Sequence, residues 1–330
     1  MKSVKRSALR VAAATVASGM LAAGAVALAG AASASTLSPA HATHYSFATL
    51  DNAHDLTFNQ LLGINDEGVI AGYFGSGAAG HPNKGYVLLP PYGQGNYVNE
   101  NFTGSVQTQV TGLNNRGVTV GFWSNTNMGV GMDANFGWVN VNGHFVQADF
   151  PTKDPASPVT DQLLGVNDFD IAVGFWVDGQ GNNHGYEYNI NTGRYSQVVD
   201  PNSPGASLTA AAINDLGQVA GFYTNPATGN TDGFLLSHGH FTDLAVPGAS
   251  STSALGVNNF DEVVGVFVPK SNANALEGFT WTPRHGFTIV NDPHGIDTTT
   301  INGVNDFGQL VGFYVDGNGN TDGLLATPHR

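Results

Sequence analysis

The sequence predicts an all-β protein, a six-bladed β-propeller with four-stranded antiparallel blades and a ring closed by the N-terminal strand. Three observations carry this. The pattern Gly165-Val-Asn-Asp-Phe-Asp-Ile-Ala-Val-Gly-Phe-Trp176 recurs six times, with its anchoring asparagine at 65, 114, 167, 214, 258 and 305. Each repeat of 44 to 53 residues holds four alternating runs separated by turns, which is the arithmetic of a propeller blade. The last copy stops after its third strand, while a spare strand, His44 to Asp51, precedes the first copy.

Taken in order, residues 1–42 read as a secretory signal. Lys2, Lys5, Arg6 and Arg10 precede an alanine-rich run from Val11 to Gly30, followed by small-residue cleavage sites. Cleavage after Ala42 is expected, with Ala34 as the other candidate. A retained anchor is the alternative, disfavoured because alanine is weakly apolar against the roughly 20 strongly apolar residues a span needs. Residues 43–330 then form one propeller domain. The 288 residues after Ala42 are six times the mean repeat spacing of 48.

The third copy shows the blade most clearly. Strand a is Gln162 to Val166, strand b Ile171 to Val177, strand c Gly185 to Asn189 and strand d Tyr195 to Val199. Asn-Gly, Thr-Gly and His-Gly pairs such as Asn142-Gly143 sit between strands c and d, where hairpins need residues that tolerate positive φ. No window after the signal has helical periodicity. An open solenoid is the competing architecture, but a four-strand unit is too long for one solenoid coil.

Composition narrows the class. Of 330 residues, 11% are charged, 41% are hydrophobic and 44 are glycine, which suits a turn-rich β protein rather than a disordered one. The formal net charge is -14, and -18 without the four basic residues of the signal. Such a surface disfavours nucleic acid and anionic membranes. With no cysteine, disulfides, thiolate nucleophiles and Cys-ligated zinc are excluded.

The Gly-Ile-Asn-Asp-x-Gly-x-x-x-Gly core, followed by a tripeptide such as His184-Gly-Tyr186, resembles the HAF-repeat family of extracellular bacterial proteins. The equivalent tripeptides are Lys84-Gly-Tyr86, Phe136-Gly-Trp138, Asp232-Gly-Phe234, Glu277-Gly-Phe279 and Asp322-Gly-Leu324. Glycine replaces the usual middle alanine throughout, so the match is to the pattern. It spans 44–328 and implies secretion and repetition, without an activity or catalytic residues.

Candidate chemistry is sparse. The six asparagines are expected to act in turns, bonding to backbone two or three residues on. A neutral polar ring precedes each by five residues and is expected at the channel mouth; from it Gln60, Gln109, Gln162, Thr209 and Thr300 are candidate ligand contacts. Among the aromatics after the strand-b glycine, Trp123, Trp176, Tyr223 and Tyr314 are expected mainly to pack. If their edges reach the loops between strands b and c, they would offer sugar-stacking faces beside them. No metal or cofactor is expected. Calcium is the weak alternative, at Asp316, Asn318, Asn320 and Asp322, whose alternation imitates a calcium loop without its terminal glutamate. An enzyme would need a carboxylate pair or a carboxylate and a base, and only Asp154, Asp161, Asp292 and His294 offer themselves.

These observations lead to a secreted, non-catalytic, lectin-like binding module for glycans or cell-surface polymer, with no insertion into membranes after cleavage. An extracellular polysaccharide hydrolase or lyase, and a scaffold docking other secreted proteins, are the alternatives.

Overall fold

The computed structural model describes residues 44–329. The proposed signal, 1–42, lies outside them. The described residues form six four-stranded antiparallel sheets arranged as a ring of blades. The inner strands, a, are Asn59–Ile64, Gln107–Leu113, Asp161–Val166, Leu208–Ile213, Ala249–Val257 and Thr299–Val304, and they number blades 1 to 6. Blade 3 continues through Ile171–Val177, Asn183–Asn189 and Arg194–Val198, within two residues of the expected boundaries. The ring closes as the sequence implies. Tyr45–Thr49 pairs antiparallel with Thr321–Pro328, giving blade 6 its outer strand. One short 3-10 turn, Gln94–Asn96, interrupts the hairpin between strands c and d of blade 1.

Each part of the repeated motif has a steric reason. The residue three beyond each asparagine, Gly68, Gly117, Asp170, Gly217, Asp261 or Gly308, has φ between 59° and 77°, the left-handed region that glycine and aspartate tolerate. Strand a carries a bulge in every blade, as between Leu163 and Gly165. The bulge presses a carbonyl against strand b, so a Cβ on Gly174 would lie 2.0 Å from the Gln162 oxygen. In five of the six blades a glycine two residues before the motif asparagine (Ala212 takes its place in blade 4) lets neighbouring inner strands touch, since a Cβ on Gly112 would lie 2.9 Å from the Gly165 Cα.

Hydrophobic burial lies between blades, as propeller geometry requires. Val120 and Val139 of blade 2 pack with Leu163, Ala172 and Tyr186 of blade 3. Val311 and Leu325 of blade 6 pack with Leu61, Ile70 and Tyr86 of blade 1, sealing the closure. Each side chain buried this way contributes about 1.5–3 kcal/mol.

The asparagines do more than hold their own turns. Each Oδ1 accepts the local backbone, as Asn167 does from Phe169 and Ile171 at 3.1 and 3.0 Å. Each Nδ2 also donates to the backbone oxygen of the next blade's asparagine, Asn65 to Asn114, Asn114 to Asn167 and so on to Asn305 to Asn65, at 2.8 to 3.1 Å. One residue along, every backbone N–H donates to the next blade's side chain at 2.7 to 2.9 Å, through Asp66, Asn115, Asp168, Asp215, Asn259 and Asp306. Two closed hydrogen-bonded hoops therefore encircle this mouth of the channel.

Candidate functional site

The six-fold pattern breaks at the opposite mouth, between blades 2 and 3. The loop joining strands b and c of blade 2 runs from Asn125 to Asn135, more than twice the length of Asp178 to Asn182 in blade 3. Asp133 organises it. Its Oδ1 accepts from Thr126 Oγ1 at 2.6 Å and from the Met128 N–H at 2.9 Å, and its Oδ2 accepts from Gln107 Nε2 at 3.2 Å and the Gly129 N–H at 3.3 Å. Burial pulls the Asp133 pKa up, but these four donors outweigh it and leave the carboxyl below its ordinary value. Asn127 fastens the same loop to blade 1, donating to the Gly77 and Ala78 oxygens.

Beneath this loop lies a cavity of about 250 Å³. Its wall carries Asn83, Gln107, Gln109, Asn135, Gln162 and Asn183 as neutral hydrogen-bonding groups, with Phe122 and Trp123 as aromatic surface. Asp133 is the one acid in the lining, and no lysine, arginine or histidine is present there. The amides are pre-positioned by each other. Gln109 Nε2 donates to Asn83 Oδ1 at 2.9 Å, and Gln162 Nε2 reaches Asn135 Oδ1 at 3.4 Å. Trp123 is half-buried, with one face stacked on Phe102 at 4.6 Å and Phe136 tilted against it at 5.2 Å.

Of the expected ligand contacts, the structure thus gathers Gln109, Gln162 and Trp123. Gln60 is fully buried and accepts from Tyr73 Oη at 2.7 Å. Thr209 is buried and accepts from Asn183 Nδ2 at 2.8 Å. Thr300 is also buried and lines no part of this cavity. The aromatic series divides for packing reasons. Trp176 is sandwiched by Phe150 and His184. Tyr223 packs edge-on against Phe241 and donates to Asp243. Tyr314 is 3% exposed and shares a 2.7 Å hydrogen bond with Thr49. These three pack within their blades and line no part of this cavity.

The acids considered for catalysis fall into separate places. Asp154 is exposed in the loop between blades 2 and 3, where its backbone oxygen accepts from Gly179. Asp292 and His294 stand together before blade 6, the imidazole Nδ1 3.0 Å from the carboxylate, in an Asx turn repeated by Asn52 and His54 before blade 1. The same turn thus forms with aspartate or asparagine at its head.

Asp161 is also structural, and it titrates unusually. Its Oδ2 accepts the Phe150 N–H at 2.7 Å, and its Oδ1 accepts Tyr186 Oη at 2.6 Å. Thr108, Thr252 and Thr299 take the first of these roles in blades 2, 5 and 6, accepting from the chain that leads into them. Burial pushes Asp161 up to about 7 against the two hydrogen bonds, with a smaller upward push from Asp149. The folded protein therefore retains a proton that the unfolded chain releases near pH 4, and stability from this group falls as pH rises from about 4 to 7. In melts across that window, Asp161→Asn is expected to flatten the slope by up to about 1.4 kcal/mol per pH unit. An unchanged slope would assign the proton elsewhere.

The calcium-like loop is satisfied internally. Asp316 accepts from the backbone N–H groups of Asn318 and Asn320 at 2.8 Å and from both their side-chain amides at 3.1 and 3.2 Å. Burial raises its pKa, but these donors prevail and hold it below the ordinary value. The carboxylate oxygens of Asp316 are thus met by N–H donors of its own loop. Asp322 packs inward at 8% exposed, pushed up to about 6 by burial and by the charges of Asp51 and Asp316.

No protein-family model and no curated protein sequence matches this chain. Several solved structures resemble it. The putative TolB of Agrobacterium tumefaciens aligns over 82% of this chain and 90% of its own, with TM-score 0.50 and 10% identity. AofleA from Arthrobotrys oligospora aligns over 86% of each, with TM-score 0.48 and 10% identity. A polysaccharide lyase of family PL25, an ulvan lyase, aligns over 80% of this chain and 77% of its own, with TM-score 0.44 and 13% identity. At such identities the likeness is one of fold alone, and what this chain shares with known proteins is the β-propeller architecture.

Proposed function

We propose that this protein is a secreted propeller binding module that takes a neutral glycan, one sugar ring deep, between blades 2 and 3. The observation that carries the proposal is the cavity lining, in which amide side chains and an aromatic wall surround about 250 Å³ with no uncommitted charge. That volume equals roughly eight waters at ~30 Å³ each, room for a single ring. Sugars present hydroxyls that both donate and accept, and amides do the same. A rim of amides fixed before binding spares the ligand the cost of ordering them. Anionic sugars lack a lysine or arginine to meet them in the lining.

The test is a glycan array with the purified protein, run with and without chelator. Binding to uncharged glycans, insensitive to chelator, is the expected result. Gln162→Ala and Trp123→Ala should each weaken that binding about tenfold or more, consistent with losing one buried hydrogen bond or one aromatic wall contact. Binding confined to anionic polymers, or unaffected by both substitutions, would overturn the reading.

A further inference from the structure

The hooped mouth of the channel carries a second surface that the glycan reading does not use. The residue two beyond each motif asparagine forms the tip of its turn. In blades 3 to 6 these tips are Phe169, Leu216, Phe260 and Phe307, exposed by 65, 55, 68 and 55%. In blades 1 and 2 they are Glu67 and Arg116. The four apolar tips thus form a horseshoe around the mouth, open on one polar side. Together they present roughly 400 Å² of apolar surface, the size of the largest patch on an ordinary monomer and often functional.

Inside the horseshoe the chemistry is anionic. Asp66, Asp168, Asp215 and Asp306 line the mouth, with Asn115 and Asn259 donating to their outer oxygens. Arg116 is the sole basic residue of the six turns, and it is held by Asp170 at 3.0 Å and by the Asp168 backbone oxygen. The mouth is a depression of about 80 Å³, and a further chamber of about 70 Å³ lies beneath it. Asn302, 4% exposed, lines that chamber; its Nδ2 is spent on the Leu61 oxygen, and its Oδ1 has no partner. The equivalent positions in the other blades are Leu62, Thr111, Leu164, Ala211 and Leu255, so this acceptor is a departure from the repeat.

We propose that this face docks a basic peptide segment. A lysine side chain enters the mouth among the four carboxylates, its apolar neighbours rest on Phe169, Leu216, Phe260 and Phe307, and the chain leaves across blades 1 and 2. Charge selects this occupant. A second copy would bring the same acidic mouth against its own, and an anionic lipid surface would be repelled. An unbranched aliphatic stem tipped by an ammonium fits a narrow mouth with acceptors at its rim and one below. The site stands independently of the glycan cavity at the opposite end of the channel.

The experiment uses the purified full chain and a fluorescent acetyl-Leu-Phe-Lys-Phe-Leu-amide, followed by anisotropy. Saturable binding that weakens with added salt is expected. Replacing lysine by norleucine in the peptide should weaken binding about tenfold, and so should the double variant Phe260→Ser, Phe307→Ser. Both phenylalanines are exposed, so an unchanged thermal melt should accompany that loss. Three results would overturn the proposal: equal binding of the norleucine peptide, full binding to the double variant, or a concentration-dependent dimer that the double variant abolishes while the peptide does not bind.

Discussion

Gly312→Ala is expected to prevent the protein from completing its ring. A Cβ at this position would lie 1.9 Å from the Thr300 oxygen, 2.9 Å from the Thr300 carbonyl carbon and 3.0 Å from the Ile301 Cα. All three belong to backbone held in the strand-a bulge, so no side-chain rotation relieves the overlap. Gly312 does not adopt positive φ, and glycine is required here for space rather than for conformational freedom. Relief means separating strands a and b of the blade that also receives the N-terminal strand. The cost falls in the exceptional class of more than about 4–5 kcal/mol. Gly317→Ala, five residues on, meets nothing within 4 Å and should be nearly silent. Soluble yield and the far-ultraviolet spectrum of the pair check the contrast. A Gly312→Ala protein that melts like wild type would show that the bulge yields.

Asn167→Ala is expected to cost about 3 kcal/mol, because it removes hydrogen bonds to Phe169, Ile171 and Asn214 together in a buried setting. For a chain of this size the melting temperature should fall by roughly 6–12 °C. Asn167→Asp is the informative companion. It keeps the acceptor for the local turn and loses only the donor to blade 4, while placing a charge beside Asp168 and Asp170. If Asp is as harmless as the parent, the hoop contributes little and the turn is what matters. Calorimetry of both variants separates the two contributions.

The repeat made the architecture readable. Asparagine, left-handed glycine or aspartate, and strand-b glycine each answer to a local constraint, so they recur in register and mark the strands. The hoops were hidden because their bonds join residues 44 or more apart, and nothing in one copy shows that its amide reaches the next. The aromatics mostly pack, as their repeat position implied, and one of them also meets the cavity. Trp123 and Trp176 occupy the same place in the repeat and each meets two rings, Phe102 and Phe136 or Phe150 and His184, yet only Trp123 also borders the cavity. The difference arises in the Asn125 to Asn135 loop, whose excess length is plain in the sequence. Asn83, Gln107 and Asn135 could have been found by asking which side chains such a loop must cover. Asp161 was singled out as an acid, and its place in a threonine staple emerges only when Thr108, Thr252 and Thr299 are superposed on it.

The closure of blade 6 has a consequence for the life of the nascent chain. Tyr45 meets Pro328 and Thr49 meets Leu324, so the earliest-made strand of the domain waits for the latest-made one. Blades 1 to 5 can each zip as they emerge, but the hoop bond from Asn305 to Asn65 and the outer pairing of blade 6 come only at the end. Until then both rims of the arc present unpaired strand or uncovered apolar faces. An interrupted translation product is therefore left open at two places and exposed to proteolysis, whereas the finished chain locks both with the same final residues.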